Sequence, residues 1–190
     1  MVHHQLPFYS QSWDLDKWKE AGFESKKDAE YWQNSSCGIL CLGMILHKIN
    51  HKPVSVSELV AKGRKISAYD YTYGWSHDGL VSLAKEYGLE AKRYERLSLD
   101  DLKNFLDHGR VVIISIKWAF EDQKTLKEKI MFWKKIGGHL ALVVGYDSDS
   151  GNFIVHHTSI RPEFNWENRR VSQDVFRKSF TGRGIVIKLK

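Results

Sequence analysis

Two residues have the type and surroundings for covalent chemistry. Cys37 stands where the polar cluster Asn34-Ser35-Ser36 hands over to the apolar run Gly38-Ile-Leu-Cys41-Leu-Gly-Met-Ile-Leu46. A thiol in the first turn of a helix feels the positive end of the macrodipole, which favours the thiolate. Gly38 behind it lets a substrate backbone come close. His139 follows Gly137-Gly138 and opens the run Leu140-Ala-Leu-Val-Val144. The glycines clear space around the imidazole, and a strand end mounts it rigidly. A cysteine at an early helix and a histidine about a hundred residues later at a strand start form the pattern of thiol-mediated acyl transfer. Each also has a plainer reading. Free cysteines are among the most buried residues, and a histidine can simply begin a strand. Cys41, one turn deeper among Ile39, Leu40, Leu42 and Met44, reads as core packing.

Stepping outward from the pair, the first half of the chain reads as helical. Trp13 to Ala21 is a short amphipathic segment stopped by Gly22, and Ser25-Lys-Lys-Asp28 has the spacing of a helix-start box. Asn34-Ser35-Ser36 reads as the end of a loop, after which a helix runs from about Ser36 to Asn50. Further helices are expected from Ser57, from Asp78 to Tyr87, and from Ser98 to about His108. The second half changes character. Val111–Ile116 and His139–Tyr146 are β-branched or apolar runs, Asp147–Asn152 is a turn, and Phe153–His157 is the hairpin partner. Gly184–Leu189 closes the chain as a strand, and Phe120–Ile136 reads as a lysine-rich helical insertion. Helices first and an antiparallel sheet second give an α+β arrangement, the N-terminal helical half packed on the sheet. No linker or repeat interrupts it, so residues 1–190 read as one domain.

The bulk composition removes whole classes. At 42% hydrophobic and 13% aromatic residues, the 190-residue chain is globular rather than disordered. No apolar run approaches the ~20 residues that span a bilayer, and the N-terminus lacks the apolar core of a signal peptide, so a cytoplasmic protein without a membrane segment is expected. A net charge of +6 comes from scattered basic residues without a nucleic-acid signature, and no nucleic-acid partner is expected. A Cys37–Cys41 disulfide would distort the helix both residues share, so both read as free thiols. Cys37, Cys41, His47 and His51 have the residue types of a zinc set. Their 14-residue span, roughly 21 Å of helix, excludes a single tetrahedral ion. No metal or cofactor is expected.

The segments around the two residues resemble papain-like cysteine peptidases of the bacteriocin-processing type, which cut leader peptides after a double glycine, and their stand-alone relatives. The resemblance rests on Ser36-Cys37-Gly38-Ile-Leu-Cys-Leu-Gly-Met-Ile-Leu46 and on Gly138-His139-Leu-Ala-Leu-Val-Val-Gly145-Tyr146-Asp147. Val171-Ser172 to Phe180-Thr-Gly182 also looks like the family's last helix and strand. The resemblance implies a papain-like fold, Cys37 as nucleophile, His139 as general base, and a peptide substrate with glycine-rich sites.

Two departures from that pattern matter. The family's oxyanion-hole glutamine lies six residues before the cysteine, where this chain has Tyr31. Gln33, Asn34 and Gln11 are the substitutes; Gln11 is favoured because its apolar-to-Gln context matches, with residues 12–32 read as an insertion behind it. The family's third residue is usually an aspartate on the strand after the histidine, and here that place holds Val155-His156-His157-Thr158. Only one of His156 and His157 can share a face with His139, and alignment leans to His157. Asp147 and Asp149 in the turn are the remaining carboxylates. The expected function is therefore a Cys–His hydrolase of peptide or amide bonds acting through an acyl-enzyme. The alternative is a catalytically silent relative that binds glycine-rich peptides. The aromatic stretch Tyr69–Asp78 either packs as a loop or lines the substrate groove.

Overall fold

The computed structural model describes residues 1–117, 120 and 138–189. Serines start most of its helices. Ser25, Ser55, Ser76, Ser98 and Ser172 each accept a backbone N–H in the first turn of α1 (Lys26–Ser35), α3 (Val56–Lys65), α4 (His77–Glu86), α5 (Leu99–Asp107) and α6 (Gln173–Ser179). The apolar helix α2 (Cys37–Asn50) has no such side-chain cap. Its residues 38–46 are buried along their whole length, so it runs through the core rather than over it.

The strands are β1 (Val2–His3), β2 (Tyr69–Asp70), β3 (Gly74–Trp75), β4 (Ala91–Tyr94), β5 (Arg110–Ile116), β6 (His139–Tyr146), β7 (Phe153–His157), β8 (Trp166–Val171) and β9 (Phe180–Lys188). An antiparallel sheet runs β4-β9-β5-β6-β7-β8, and β1 pairs with the far end of β6; β2 and β3 form a separate ribbon. Alternation along the strands gives the sheet two apolar faces. Ile113, Leu140, Leu142, Val144 and Ile154 meet α2, α3 and α4 on one face. Val112, Ile114, Ala141, Val143, Phe153 and Val155 meet Leu102 and Leu106 of α5 and Phe176 of α6 on the other. The sheet is thus covered on both sides, and not only by the N-terminal helices.

Several local expectations change. Asn34 and Ser35 are helical, because α1 runs to Ser35 and α2 resumes at Cys37. Only a single helical turn, Leu15–Lys17, forms in the segment from Trp13 to Ala21. There Trp13 stacks on Phe23 at 5.7 Å, and Gly22, at φ +79°, folds the chain back. The third helix starts at Val56 because Ser55, not Ser57, caps it. The last strand starts four residues early, at Phe180. The short strands β4 and β8, rich in charged residues, carry no apolar alternation that announces them. The lysine-rich helical insertion expected over 120–136 lies, apart from Phe120, outside the described residues.

Helix α4 is locked to the chain before β2: a Cβ on Gly79 would lie 2.4 Å from Ala68 Cα, a backbone atom that cannot turn aside. Gly79→Ala is therefore expected to destabilise the protein by about 1–3 kcal/mol, read as a lowered midpoint in urea unfolding.

Candidate active site

The junction between α1 and α2 sets the site. In a continuous helix the carbonyls of Trp32 and Gln33 would bind the N–H groups of Ser36 and Cys37. Side chains take them instead. Ser36 Oγ donates to the Trp32 carbonyl, Gln11 Nε2 to the Gln33 carbonyl at 2.6 Å, and Trp75 Nε1 to the Ser35 carbonyl at 2.8 Å. The bond from Leu40 N–H to the Ser36 carbonyl, at 2.8 Å, then opens α2. The N–H groups of Cys37, Gly38 and Ile39 precede that bond and are the first-turn donors of the new helix.

The backbone groups of Leu140, Gly38 and Cys37 favour the Cys37 thiolate, but burial outweighs them and pushes the thiol up. The helix-end stabilisation read from the sequence is present and is overcome by desolvation. Cys41 is fully buried and pushed up further, first by burial and then by the charge of Cys37.

Leu140 directly follows His139, and a Cβ on Gly38 would lie 2.8 Å from Leu140 Cδ1, so the start of α2 packs tightly beside the histidine strand. Cys37 and His139 line one cleft of about 670 Å³. Behind His139 lies His157, its ring centroid 4.7 Å away and its plane tilted by 52°. The two Nε2 atoms are both buried. His157 Nδ1 sits 2.6 Å from the Phe164 carbonyl, which can only accept, so Nδ1 carries the proton and Nε2 keeps its lone pair. Burial, then the nearness of His139, lowers the His157 pKa to about 3. The ring is neutral at any ordinary pH.

His156 turns to the opposite face. Its Nε2 donates to the Leu6 carbonyl at 3.2 Å and its Nδ1 accepts the Asn168 N–H at 3.0 Å. Both nitrogens are spent on structure, and burial lowers the pKa to about 4. Asp147 and Asp149 sit in the turn at the far end of β6 from His139; Asp147 pairs with Arg170 at 3.3 Å.

Of the three candidate amides, Asn34 lines the cleft, donating one N–H to the Glu30 carbonyl at 2.8 Å. Gln33 Nε2 is turned to the Trp13 carbonyl at 2.7 Å. Gln11 is buried behind the junction, outside the cleft lining, and its Oε1 accepts from Thr158 at 3.2 Å. The aromatic stretch does form a wall: Tyr69, Tyr71, Tyr73 and Trp75 line the cleft, and Tyr71 and Tyr73 are exposed. His77, inside the same stretch, lines the cleft too, and sequence reading missed Arg93, Ser115 and Arg183. His77 Nε2 lies 2.8 Å from Ser115 Oγ. The polar Ser115 inside the buried run Val111–Ile116 was the available signal. Among the described residues, no three His, Cys, Asp or Glu side chains gather closely enough to hold a metal ion, and no helix is long and apolar enough to cross a membrane.

The sequence over residues 6–185 matches the Peptidase_C39 like family. The chain belongs to that family. Solved structures agree on the fold. A C39-like peptidase assignment from Bacillus anthracis aligns with a TM-score of 0.63 at 16% identity, over 100% of this chain and 98% of that one. A double glycine motif protease from an AMS/PCAT transporter, solved with its leader peptide, gives 0.57 at 18%, over 100% and 95%. The peptidase domain of Streptococcus ComA, a bifunctional ABC transporter involved in quorum sensing, gives 0.55 at 19%, over 82% and 93%. No curated protein matches the chain.

Two titrations follow from this C39-like site. His156 and His157 have folded pKa values below the 6.5 of a free histidine, so unfolding takes up protons in acid. Their contribution to stability is present above pH ~6.5 and is lost as pH falls toward the folded values. Urea unfolding is expected to lose roughly 1.4 kcal/mol per pH unit for each histidine across that window, and His156→Gln should flatten the slope. Cys37, pushed up by burial, is expected to alkylate appreciably only above the free-cysteine value of about 8.5. Mass spectrometry resolved to the Cys37 and Cys41 peptides reads this, with Cys41 silent until the protein unfolds.

Proposed function

We propose that this chain, read as one C39-like domain, is a cysteine hydrolase of peptide or amide bonds. The observation that carries the reading is that Cys37, at the start of α2, and His139, at the start of β6, line one cleft, with α2 so close to β6 that a Cβ on Gly38 would lie 2.8 Å from Leu140 Cδ1. His139 takes the proton of the neutral thiol as sulfur attacks the substrate carbonyl. The carbonyl oxygen becomes an oxyanion held by the N–H of Cys37 and by the second N–H of the Asn34 amide. Gln11 acts at one remove, keeping the Gln33 carbonyl away from the Cys37 N–H. The imidazolium then protonates the leaving amine, and water releases the acyl-enzyme.

His157 stands in for the usual aspartate. With its own proton committed to Phe164, it keeps a lone pair on Nε2 beside the His139 ring, an acceptor for that ring's N–H as the site tightens around substrate, which would fix its tautomer. A neutral acceptor stabilises the imidazolium far less than a carboxylate does. That favours general-base attack from a neutral Cys–His pair over a preformed ion pair, and a correspondingly slow enzyme. The neighbour solved with a leader peptide supports a peptide substrate, and its double glycine motif supports small residues at the scissile bond.

Glycine-rich fluorogenic peptides test the reading. Cys37→Ala and His139→Ala are expected to abolish turnover. His157→Ala is expected to lower kcat about 10- to 100-fold, the scale found for partners that orient functional histidines. Peptide binding with no cleavage in the wild type would assign the chain instead to the silent, peptide-binding alternative.

A further inference from the structure

We infer that the cleft receives a substrate carrying a carboxylate beside the bond presented to Cys37, with Arg183 as its receptor. The inference rests on the proposed use of this cleft and adds the substrate class. The described lining includes Arg93, Arg183 and His77 and no Asp or Glu. Arg93 is already committed, paired with both Asp78 and Glu95. The Arg183 guanidinium makes no hydrogen bond or ion pair among the described residues, its backbone N–H alone binding Thr181 Oγ1 at 3.4 Å.

Its mount is built. Opposite the β5–β9 register shift between Ile114 and Ile116, residues 181–183 bulge out of β9. Gly182 holds φ +79°, which a side chain would strain. Thr181 Oγ1 donates to the Ser115 carbonyl at 3.0 Å, and the Gly182 carbonyl accepts Leu97 N–H at 2.7 Å. Bulges beside active sites commonly re-aim one side chain, and here the side chain is Arg183. The bulge lies against Ser115, whose sheet partner is Leu140, the residue packed on Gly38 at the start of α2. Arg183 also acts on His77, where its charge adds to burial in lowering that imidazole's pKa. An uncommitted guanidinium on a fixed bulge, lining the same cleft as Cys37, fits a planar carboxylate by paired N–H···O bonds. The exposed Tyr71 and Tyr73 form a wall on which the rest of a peptide can lie.

The carboxylate can be an acidic side chain or a peptide C-terminus, and three labelled glycine-rich peptides separate the two. One carries an internal Asp and an amidated end, one an internal Asn and a free carboxylate end, and one an internal Asn and an amidated end. Binding to full-length Cys37→Ala protein is read by fluorescence polarisation, so the result does not depend on turnover. One carboxylate peptide is expected to bind about tenfold more tightly than the neutral one, the factor that one charge-assisted hydrogen bond supports. Added salt should shrink that preference. Arg183→Gln should abolish the preference with an unchanged Tm, and Arg183→Lys should keep part of it. Equal or undetectable binding of all three peptides, or a preference that survives Arg183→Gln, overturns the inference. A carboxylate preference without cleavage by the wild type would uphold it while removing the proposed hydrolase.

Discussion

The site depends on one interruption: two helices that run on from each other are kept from fusing at Ser36. A fused helix would need only the few bonds spanning the junction, from the N–H groups of residues 36–39 to the carbonyls of residues 32–35. It would also bury the Cys37 N–H in a helical hydrogen bond and leave no donor for a developing oxyanion. Three side chains from distant parts of the chain, Gln11, Ser36 and Trp75, take the carbonyls of the last turn of α1. Their hydrogen bonds satisfy the Trp32, Gln33 and Ser35 carbonyls, so the break carries less of the usual penalty for lost backbone pairing. The loop before α1, the junction and the aromatic wall therefore hold Cys37 jointly.

Burial then sets the chemistry of what the junction presents. The cysteine stays a thiol although backbone dipoles favour its thiolate, and His157 stays neutral although it has a strong acceptor beside it. Both outcomes have the same cause: desolvation penalises the charged form by more than a few hydrogen bonds return. A carboxylate at position 157 would face the same penalty among Phe120, Trp166 and the second apolar cluster. A histidine avoids it, since an imidazole can be apolar in bulk, neutral in charge and still offer one directed lone pair. The replacement of the family's aspartate is thus compatible with the packing around it, at the expense of imidazolium stabilisation.

Much of this was legible in the sequence because it is local. Cys37 at a helix start, His139 at a strand start, the serine caps and the β6–β7 hairpin are each written within a few neighbouring residues. The covering of both sheet faces was less legible, since α5 reads like any other amphipathic helix. Least legible were the contacts that join remote segments. Nothing near Gln11 says that its amide seals a carbonyl of the helix 22 residues later, so it read as an oxyanion donor by context. Asn34 and Ser35 read as loop because polar residues favour turns, whereas here they complete a helix whose end is capped by tertiary partners. Arg183 was invisible because its meaning comes from a bulge, and a bulge is a property of two strands in register.

The charge arrangement around Cys37 follows from the same economy. If the Cys37–His139 pair rests neutral, it creates charge only during reaction, and the surroundings must tolerate a transient oxyanion and imidazolium. A cleft-lining cation already tied to carboxylates outside the lining would be nearly silent toward both, and Arg93, held by Asp78 and Glu95, is such a group. An uncommitted cation is different. It opposes the imidazolium at all times unless an incoming anion balances it. Arg183 in an empty cleft therefore works against the step that His139 would take, and the same residue paired with a substrate carboxylate does not. Selection of an anionic substrate and permission for proton transfer would then be one electrostatic event at one residue.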